Sequence, residues 1–529
     1  MPVGSGLAGV CGASGRLKAG ELPARGGPRL FVLAAACAAL AGDVLAGGPA
    51  CSAAQSASKL APFFERARSG RVDVVGLGDS NQVFGGHGWD HGWGRTLAAR
   101  FGLYATPLFS AGENQGNGSS IGYRSQAMST LPANQFAYAG APAGLDAFLP
   151  GSTPVPPLNY VCLLAGTGGA GFTPGVYIEA GGPLSVAGAL RLHMVYAEFG
   201  PGTTGFFQPA IRLGQWPYTQ LVAGPVISTA GAAPGVRTAT LDLPPAARNS
   251  NIEARWSPFG TTIAAPFLAY FQRLEAPDQP HGASFTTLYA QGGQSARDMA
   301  ASLLTAPDEQ LTLFFSQIRA LQSDPRAVLI RVHSGLNDRN ETLPSTGPTA
   351  LTPGSSPAAF ADNLRQIIQR IELVWSAAGW PTSELFFLFT VSHPVSTPDD
   401  PLLLAYRDAA DAVAADHPRA AAVRLDRLTS ETEMLASGWY RLGGADRNHL
   451  EIAAYQTLAE RELAALAGPA CPGDADGDGS ASFADITAAL ARWGACGPDA
   501  RGGDANADGA VNFTDITITL RQWGPCTAD

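Results

Sequence analysis

Three short segments carry residue types that could together perform acyl transfer. Gly78-Asp79-Ser80 follows the apolar run 72–77, which reads as a buried strand. A serine on the turn leaving such a strand presents its hydroxyl at the sheet end where α/β proteins bind ligands, although the tripeptide alone is also ordinary turn chemistry. Asn337, in Gly335-Leu336-Asn337-Asp338, follows a second apolar run, 327–333. An Asn amide there can be aimed at a developing oxyanion, and a plain Asn-Asp turn is the competing reading. Asp446-Arg447-Asn448-His449 lies in a loop before a helical stretch, 450–467. An Asp three residues ahead of a His can accept from one ring nitrogen and leave the other facing a serine. Asp446 could equally be the N-cap of that helix, and the two roles are compatible.

A scaffold must bring these segments together, and the pattern of apolar residues describes one. Strands are expected at 72–77, 285–289, 327–333, 385–391 and 421–425, alternating with helices that include 93–101 and cover 296–305, 308–322, 357–378, 402–415 and 450–467. Ser356 is placed to cap the longest helix. This rhythm calls for a parallel sheet covered by helices on both faces. Between about 110 and 280 the character changes. Gly, Pro and Thr are dense, and short alternating runs recur at 190–199, 206–213, 236–243, 252–256 and 267–274, the signature of a β-sandwich-like segment. The expected organisation is an α/β domain over 59–110 and 284–468, interrupted by a β-rich insertion over 111–283. Within the insertion, Trp216, Tyr218, Trp256, Tyr270 and Phe271 could form a sugar-stacking surface, though aromatics at strand spacing are more often core. His87, His91 and Trp93 could line a pocket beside Ser80, and Met299, Phe314 and Phe315 read as helix packing.

In block order and strand context, the three segments resemble the SGNH (GDSL-type) hydrolase family. Gly78-Asp79-Ser80-Asn81 is similar to its first block, 335–338 to its third and 446–449 to its last. Asn81 stands where the family usually has an aliphatic residue, and the β-rich stretch separates the first block from the second. The resemblance implies a three-layer α/β/α domain and a Ser-His-Asp triad in which Ser80 is the nucleophile, His449 the base and Asp446 its orienting carboxylate. It also implies an oxyanion hole of Asn337, the Ser80 N–H and a glycine N–H from the second block. Gly293, in Ala290-Gln291-Gly292-Gly293-Gln294-Ser295, is the candidate, with Gly112 in Ala111-Gly112-Glu113-Asn114 its rival. Such a triad suits ester hydrolysis and needs no metal.

The last 59 residues (471–529) contain an internal duplication. Gly473-Asp474-Ala475-Asp476-Gly477-Asp478-Gly479 returns as Gly503-Asp504-Ala505-Asn506-Ala507-Asp508-Gly509, and Phe483, Asp485 and Trp493 return as Phe513, Asp515 and Trp523, every pair offset by 30. Asp474, Asp476, Asp478 and Asp485 occupy positions 1, 3, 5 and 12 of a calcium loop, as do Asp504, Asn506, Asp508 and Asp515. Hard oxygen ligands at alternate positions can wrap one calcium, closed by the carboxylate at position 12. Helices are expected at 486–493 and 516–523. With Asp rather than Glu at position 12, a helix after each loop and none clearly before, 473–526 resembles a type I dockerin. That implies structural calcium and a cohesin-like protein partner.

Composition bounds the rest. The chain of 529 residues has 34 basic and 44 acidic residues, a formal charge of −10, and its only lysines are Lys18 and Lys59. That balance gives no electrostatic case for gripping nucleic acid. Nine Asp against three Arg in 471–529 concentrate −6 of the charge in the tail, which suggests a cation. Arg25 and Arg29 precede an apolar run at 30–40 and small residues to Ala46, so 1–46 reads as an export signal. That run is too short to span a bilayer, and no other stretch qualifies. Cys471, Cys496 and Cys526 bracket the tail, where a disulfide is reasonable in an oxidising compartment; one of the three would be free or bonded to Cys51 or Cys162. The expected protein is a secreted or cell-surface serine ester hydrolase, with carbohydrate acyl (acetyl) esters favoured because dockerin-like tails accompany polysaccharide-degrading enzymes. A lipase is disfavoured because no extended apolar lid stands out. A non-catalytic extracellular carbohydrate-binding or structural protein that keeps the hydrolase shell is the alternative.

Overall fold

The five apolar segments pair as one parallel sheet. They are β1 (Arg71–Gly78), β2 (Gly282–Ala290), β3 (Val328–Ser334), β4 (Leu385–Val391) and β5 (Ala420–Arg424). Their order is β2-β1-β3-β4-β5, and every pairing is parallel. β3 and β4 are buried at every position, which is why they read as continuous apolar runs rather than as alternation. Alternation instead assigns side chains to layers. Leu385, Phe387, Phe389 and Val391 enter one core with α3 (Ala296–Thr305), α4 (Asp308–Ala320), α5 (Pro357–Ala377) and α6 (Pro401–Asp416). Phe386 and Leu388 enter the opposite core with α1 (Ala54–Ser69), α2 (Gly92–Phe101) and α7 (Ile452–Ala467). The result is the three-layer α/β/α domain that the helix–strand rhythm predicts.

This computed structural model describes residues 54–83, 92–110, 121–125, 136–138, 161–165, 174–178, 189–198, 201, 206–213, 220–233, 235–244, 252–259, 267–290, 293–339, 355–396 and 398–467. In the tail it describes 473, 480–494, 503, 505, 511–521 and 523–525. The expected export signal (1–46), His87, His91, Gly112, Cys471, Cys496, Cys526 and six of the eight expected calcium ligands (Asp474, Asp476, Asp478, Asp504, Asn506 and Asp508) lie outside the described residues. Among those described, no helix is long and apolar enough to cross a membrane.

Between β1 and β2 the chain builds two antiparallel sheets. In one, Gly235–Leu243, Leu190–Glu198, Phe267–Glu275, Val161–Ala165 and Phe136–Tyr138 follow in that order, with Phe109–Ser110 also on the 267–275 strand. The other has the order Ile227–Ser228, Phe206–Leu213, Ile252–Phe259, Pro174–Ile178 and Ile121–Ser125, with Gln220–Ala223 added to the 206–213 strand. Tyr196 of the first meets Phe207 of the second edge-on at 4.8 Å, so the two sheets face one another as in a sandwich. Phe271 is fully buried against the main core and cannot stack on a sugar; the side chains of Trp216, Tyr218, Trp256 and Tyr270 lie outside the described residues.

The chain leaves and rejoins the α/β domain at one place, marked by a buried ion pair. Arg273, near the end of the 267–275 strand, donates to Asp73 of β1 at 2.5 Å and to the carbonyl of Thr106 at 2.8 Å. The Tyr104 hydroxyl also donates to Asp73, and Gln322 Nε2 reaches the same carboxylate at 2.8 Å. Backbone bonds from Thr106 to Leu274 and from Ala276 to Tyr104 complete the junction. Asp73 and Arg273 are essentially inaccessible, so each charge depends on the other and on these neighbours.

In the tail the duplication folds back on itself. Gly473 lies so close to Thr519 that a Cβ would meet its Cα at 2.8 Å, and Gly503 bears the same relation to Ala489 at 3.1 Å. Ala481 pairs with Gly524, while Gly494 N–H donates to Val511 at 2.9 Å. Both pairs of contacts exchange under the offset of 30, so each repeat covers its twin. The helices are Phe483–Ala491 and Phe513–Arg521, each starting three residues before the expected 486 and 516. Asp485 and Asp515 cause the earlier start, because their carboxylates accept the Ser482 and Asn512 N–H groups at 2.6 and 2.7 Å and cap the first turn.

The junction makes a quantitative prediction. Arg273→Met should lower the stability of the full chain by about 3–5 kcal/mol, because it strands the Asp73 carboxylate. Denaturant melts of Arg273→Met, Asp73→Asn and the pair should show a double loss well below the sum of the singles. Additive losses would mean that the two groups do not act on each other.

Candidate active site

Strand register brings three of the sequence segments to one edge. Gly78 of β1 lies opposite Ala290 of β2 on one side and His333 of β3 on the other. The chain therefore leaves all three strands level, and the residues that follow gather there: Ser80 in the turn Ser80–Val83, Gly293 before α3, and Asn337 in the turn Leu336–Arg339. β1 is also where strand order reverses, since β2 lies to one side and β3 to the other, and such switch points form the ligand crevice of open α/β sheets.

The two turns beside Ser80 are tied to each other. Asn337 Nδ2 donates to the carbonyl of Gln294 at 2.9 Å. Asp338 accepts the Gly335 N–H and the Ala296 N–H, each at 3.1 Å, so one buried carboxylate anchors both turns. Burial pushes the Asp338 carboxyl up to about 7, against the pull of those two N–H groups. Gly335 has φ +107°, and a Cβ there would meet Val391 Cγ1 at 2.7 Å, so glycine is required. Gly293 has φ +82° with open space where a Cβ would be, a left-handed turn whose neighbourhood leaves room for a ligand.

The fourth segment arrives from the far end of the chain. Asp446–Leu450 is a short strand paired with Tyr440–Arg441, and α7 begins only at Ile452, not at the expected 450. Asp446 is accordingly not the cap of that helix, a correction to one of its two expected roles. Its Oδ1 accepts the Asn448 and His449 N–H groups at 3.1 and 3.2 Å, and its Oδ2 meets His449 Nδ1 at 2.8 Å. Burial raises the Asp446 carboxyl, but the bond and charge of His449 and the two backbone N–H groups outweigh it and hold the pKa below its ordinary value. With Nδ1–H donated to the carboxylate, His449 Nε2 is an acceptor, and it lies 2.9 Å from Ser80 Oγ. Serine, imidazole and carboxylate thus stand in one hydrogen-bonded line at the crevice.

A second row of polar groups lies behind this line. Asp79 Oδ1 accepts the Asn81 N–H at 2.9 Å and approaches His333 Nδ1 at 3.5 Å. His393, just past β4, meets the Arg447 carbonyl with Nε2 at 3.0 Å. Burial pushes this imidazole down to about 4, so it is neutral and donates to that carbonyl. The sequence reading overlooked His393, although its place just beyond the carboxyl end of a buried strand is the signal that singled out Ser80 and Asn337. Trp93 does not line the crevice. It is fully buried in the opposite core, where its Nε1 donates to Glu462 at 3.0 Å and Arg331 lies over its ring.

No family model and no curated protein matches the sequence. Among solved structures, the chain is similar to a peptidoglycan O-acetylesterase, with 14% identity and a TM-score of 0.45 over 78% of this chain and 95% of that one. It is also similar to a family two carbohydrate esterase from Cellvibrio japonicus, with 10% identity and a TM-score of 0.22 over 58% and 91%. A xylan-binding module gives 12% identity and a TM-score of 0.20 over 32% and 97%. At these identities and scores, residue roles must come from the geometry of this chain itself.

Proposed function

We propose that this chain is a serine ester hydrolase, and the single observation that carries the reading is the Ser80–His449–Asp446 line at the switch point. Ser80 Oγ attacks the ester carbonyl carbon while His449 Nε2 takes its proton. The carbonyl electrons move onto oxygen, and Asp446 stabilises the imidazolium that forms. Collapse of the tetrahedral intermediate breaks the ester C–O bond, and the alcohol departs with the proton from His449. Water then attacks the acyl-Ser80 by the same route. An Asn amide nitrogen carries two hydrogens; the bond to Gln294 uses one of Asn337's and orients the other toward an oxyanion, which the Ser80 and Gly293 N–H groups also bind.

Carbohydrate acyl esters, acetyl esters above all, are the proposed substrates, on the strength of the dockerin-like tail. The tail binds calcium in this reading. Asp485 and Asp515, the position-12 carboxylates, are fully buried, and Asp515 Oδ1 accepts the N–H of Ala505, one residue past position 1, at 2.7 Å. Position 12 therefore folds back over the start of its loop, as a closed oxygen cage requires. Secretion through 1–46 and a cohesin-like partner for the tail complete the proposal.

Turnover of p-nitrophenyl acetate tests the triad. Ser80→Ala and His449→Ala should each lower kcat by about 10³-fold or more, with little further loss in the double variant. Asn337→Ala should cost about 10²-fold, carried by kcat. Losses that multiply in the double variant would remove the shared mechanism, and the absence of hydrolysis in the native chain would favour the non-catalytic alternative.

Equilibrium dialysis tests the tail. The full chain should bind about two calcium ions, and Asp474→Ala and Asp504→Ala should each remove about one. Chelator should leave esterase turnover nearly unchanged, since no tail residue belongs to the triad. A chelator-sensitive kcat would show that the two functions are not separate.

A further inference from the structure

We infer that Tyr455 is a positioning residue: one phenol oxygen joins the residue after the nucleophile to the residue after the base. The inference rests on the esterase reading above. Tyr455 lies in the first turn of α7 and is almost completely buried. Its hydroxyl accepts the N–H of Leu450, next to His449, at 3.1 Å, and it donates to Oδ1 of Asn81, next to Ser80. The backbone N–H of Asn81 is held in turn by Asp79 Oδ1 at 2.9 Å.

A second fixed point is what the triad geometry needs. Ser80 comes from a turn and His449 from a short strand far away in sequence, and the bond between Oγ and Nε2 constrains a single distance. The phenol adds a second constraint on the other side of both residues. His393 supplies a third by holding the Arg447 carbonyl, so the 446–450 strand is gripped at Arg447 and at Leu450, with His449 between them. Asn81 fits this role and fits poorly as filler. A fully buried amide carries a burial cost that an apolar side chain would not, and here its oxygen is satisfied by Tyr455. Removing the phenol hydroxyl leaves the Leu450 N–H and the Asn81 oxygen without that partner, which should let the two segments drift apart. A misplacement of about 1 Å in such a constellation can cost about 10²-fold in rate.

The test uses the full chain, with Tyr455→Phe, Asn81→Leu and the double variant assayed on p-nitrophenyl acetate. Each single change should lower kcat about 10- to 100-fold with KM within about twofold, and the double should be no slower than the slower single. Losses that multiply, or a higher KM at unchanged kcat, would overturn the inference. The ¹⁵N shift of His449 Nε2, which reports its bond to Ser80 Oγ, gives a readout independent of turnover. In Tyr455→Phe it should move toward its value in Ser80→Ala, and an unchanged shift would also overturn the inference. If the native chain shows no Ser80-dependent hydrolysis, the esterase reading fails separately and the shift still decides the role of Tyr455. If Tyr455→Phe does not fold, the shift measured in Asn81→Leu decides it.

Discussion

The alignment of β1 between β2 and β3 is the constraint on which the rest depends. Gly78, Ala290 and His333 stand side by side, so three chain segments turn out of the sheet at one level. Parallel pairing permits this because every carboxyl end points the same way, and the reversal of strand order at β1 opens a crevice there. A register slip of one residue would move Ser80 relative to Gly293 and Asn337. It would also reverse which side chains enter each core, so the packing of Val75 and Leu77 against one helical layer and of Val72 and Val74 against the other guards the register.

A sheet buried on both faces leaves polar groups few places to be. Three joints between such groups coincide with topological problems. Asp73 and Arg273 close the point where a β-sandwich interrupts the chain. Arg331 and Glu462 join β3 to α7, with Trp93 and Thr390 bonding the same carboxylate. Asp338 ties the turn after β3 to the start of α3. Each costs desolvation that its partners must offset, which makes it specific to one arrangement of the chain.

The tail follows a different logic. Two copies of a short loop–helix unit cannot each enclose a core, and the exchange of Gly473 against Thr519 and Gly503 against Ala489 lets each copy cover the other. Asp485 and Asp515 then begin the two helices in the same way, each accepting the N–H of the residue three before it.

The element types were legible because their signals are local. Continuous apolar runs gave the parallel strands, 3.6-residue periodicity the helices, and turn residues with short alternation the β-rich stretch. The repeat offset of 30 was legible for the same reason. Helix starts were less so, since caps reach back several residues: Asp485 and Asp515 draw their helices forward, and the strand pairing of 446–450 with 440–441 delays α7. The order of the segments bearing Ser80, Asn337 and His449 could be read directly, as could their places after strands. The 2.9 Å between Ser80 Oγ and His449 Nε2 could not, because it joins residues 369 apart and depends on which strands neighbour one another. Tyr455 was invisible for the same reason, and of His393 only its place after a strand was legible. Neither lies in a motif, and each gains its role only when the folded sheet brings a distant loop within reach of a single hydroxyl or ring nitrogen. What the sequence determined by itself was the kind of element each segment becomes; which side chains meet was decided by the tertiary structure, because contact at hydrogen-bond range is a property of register and layer order and of no local pattern.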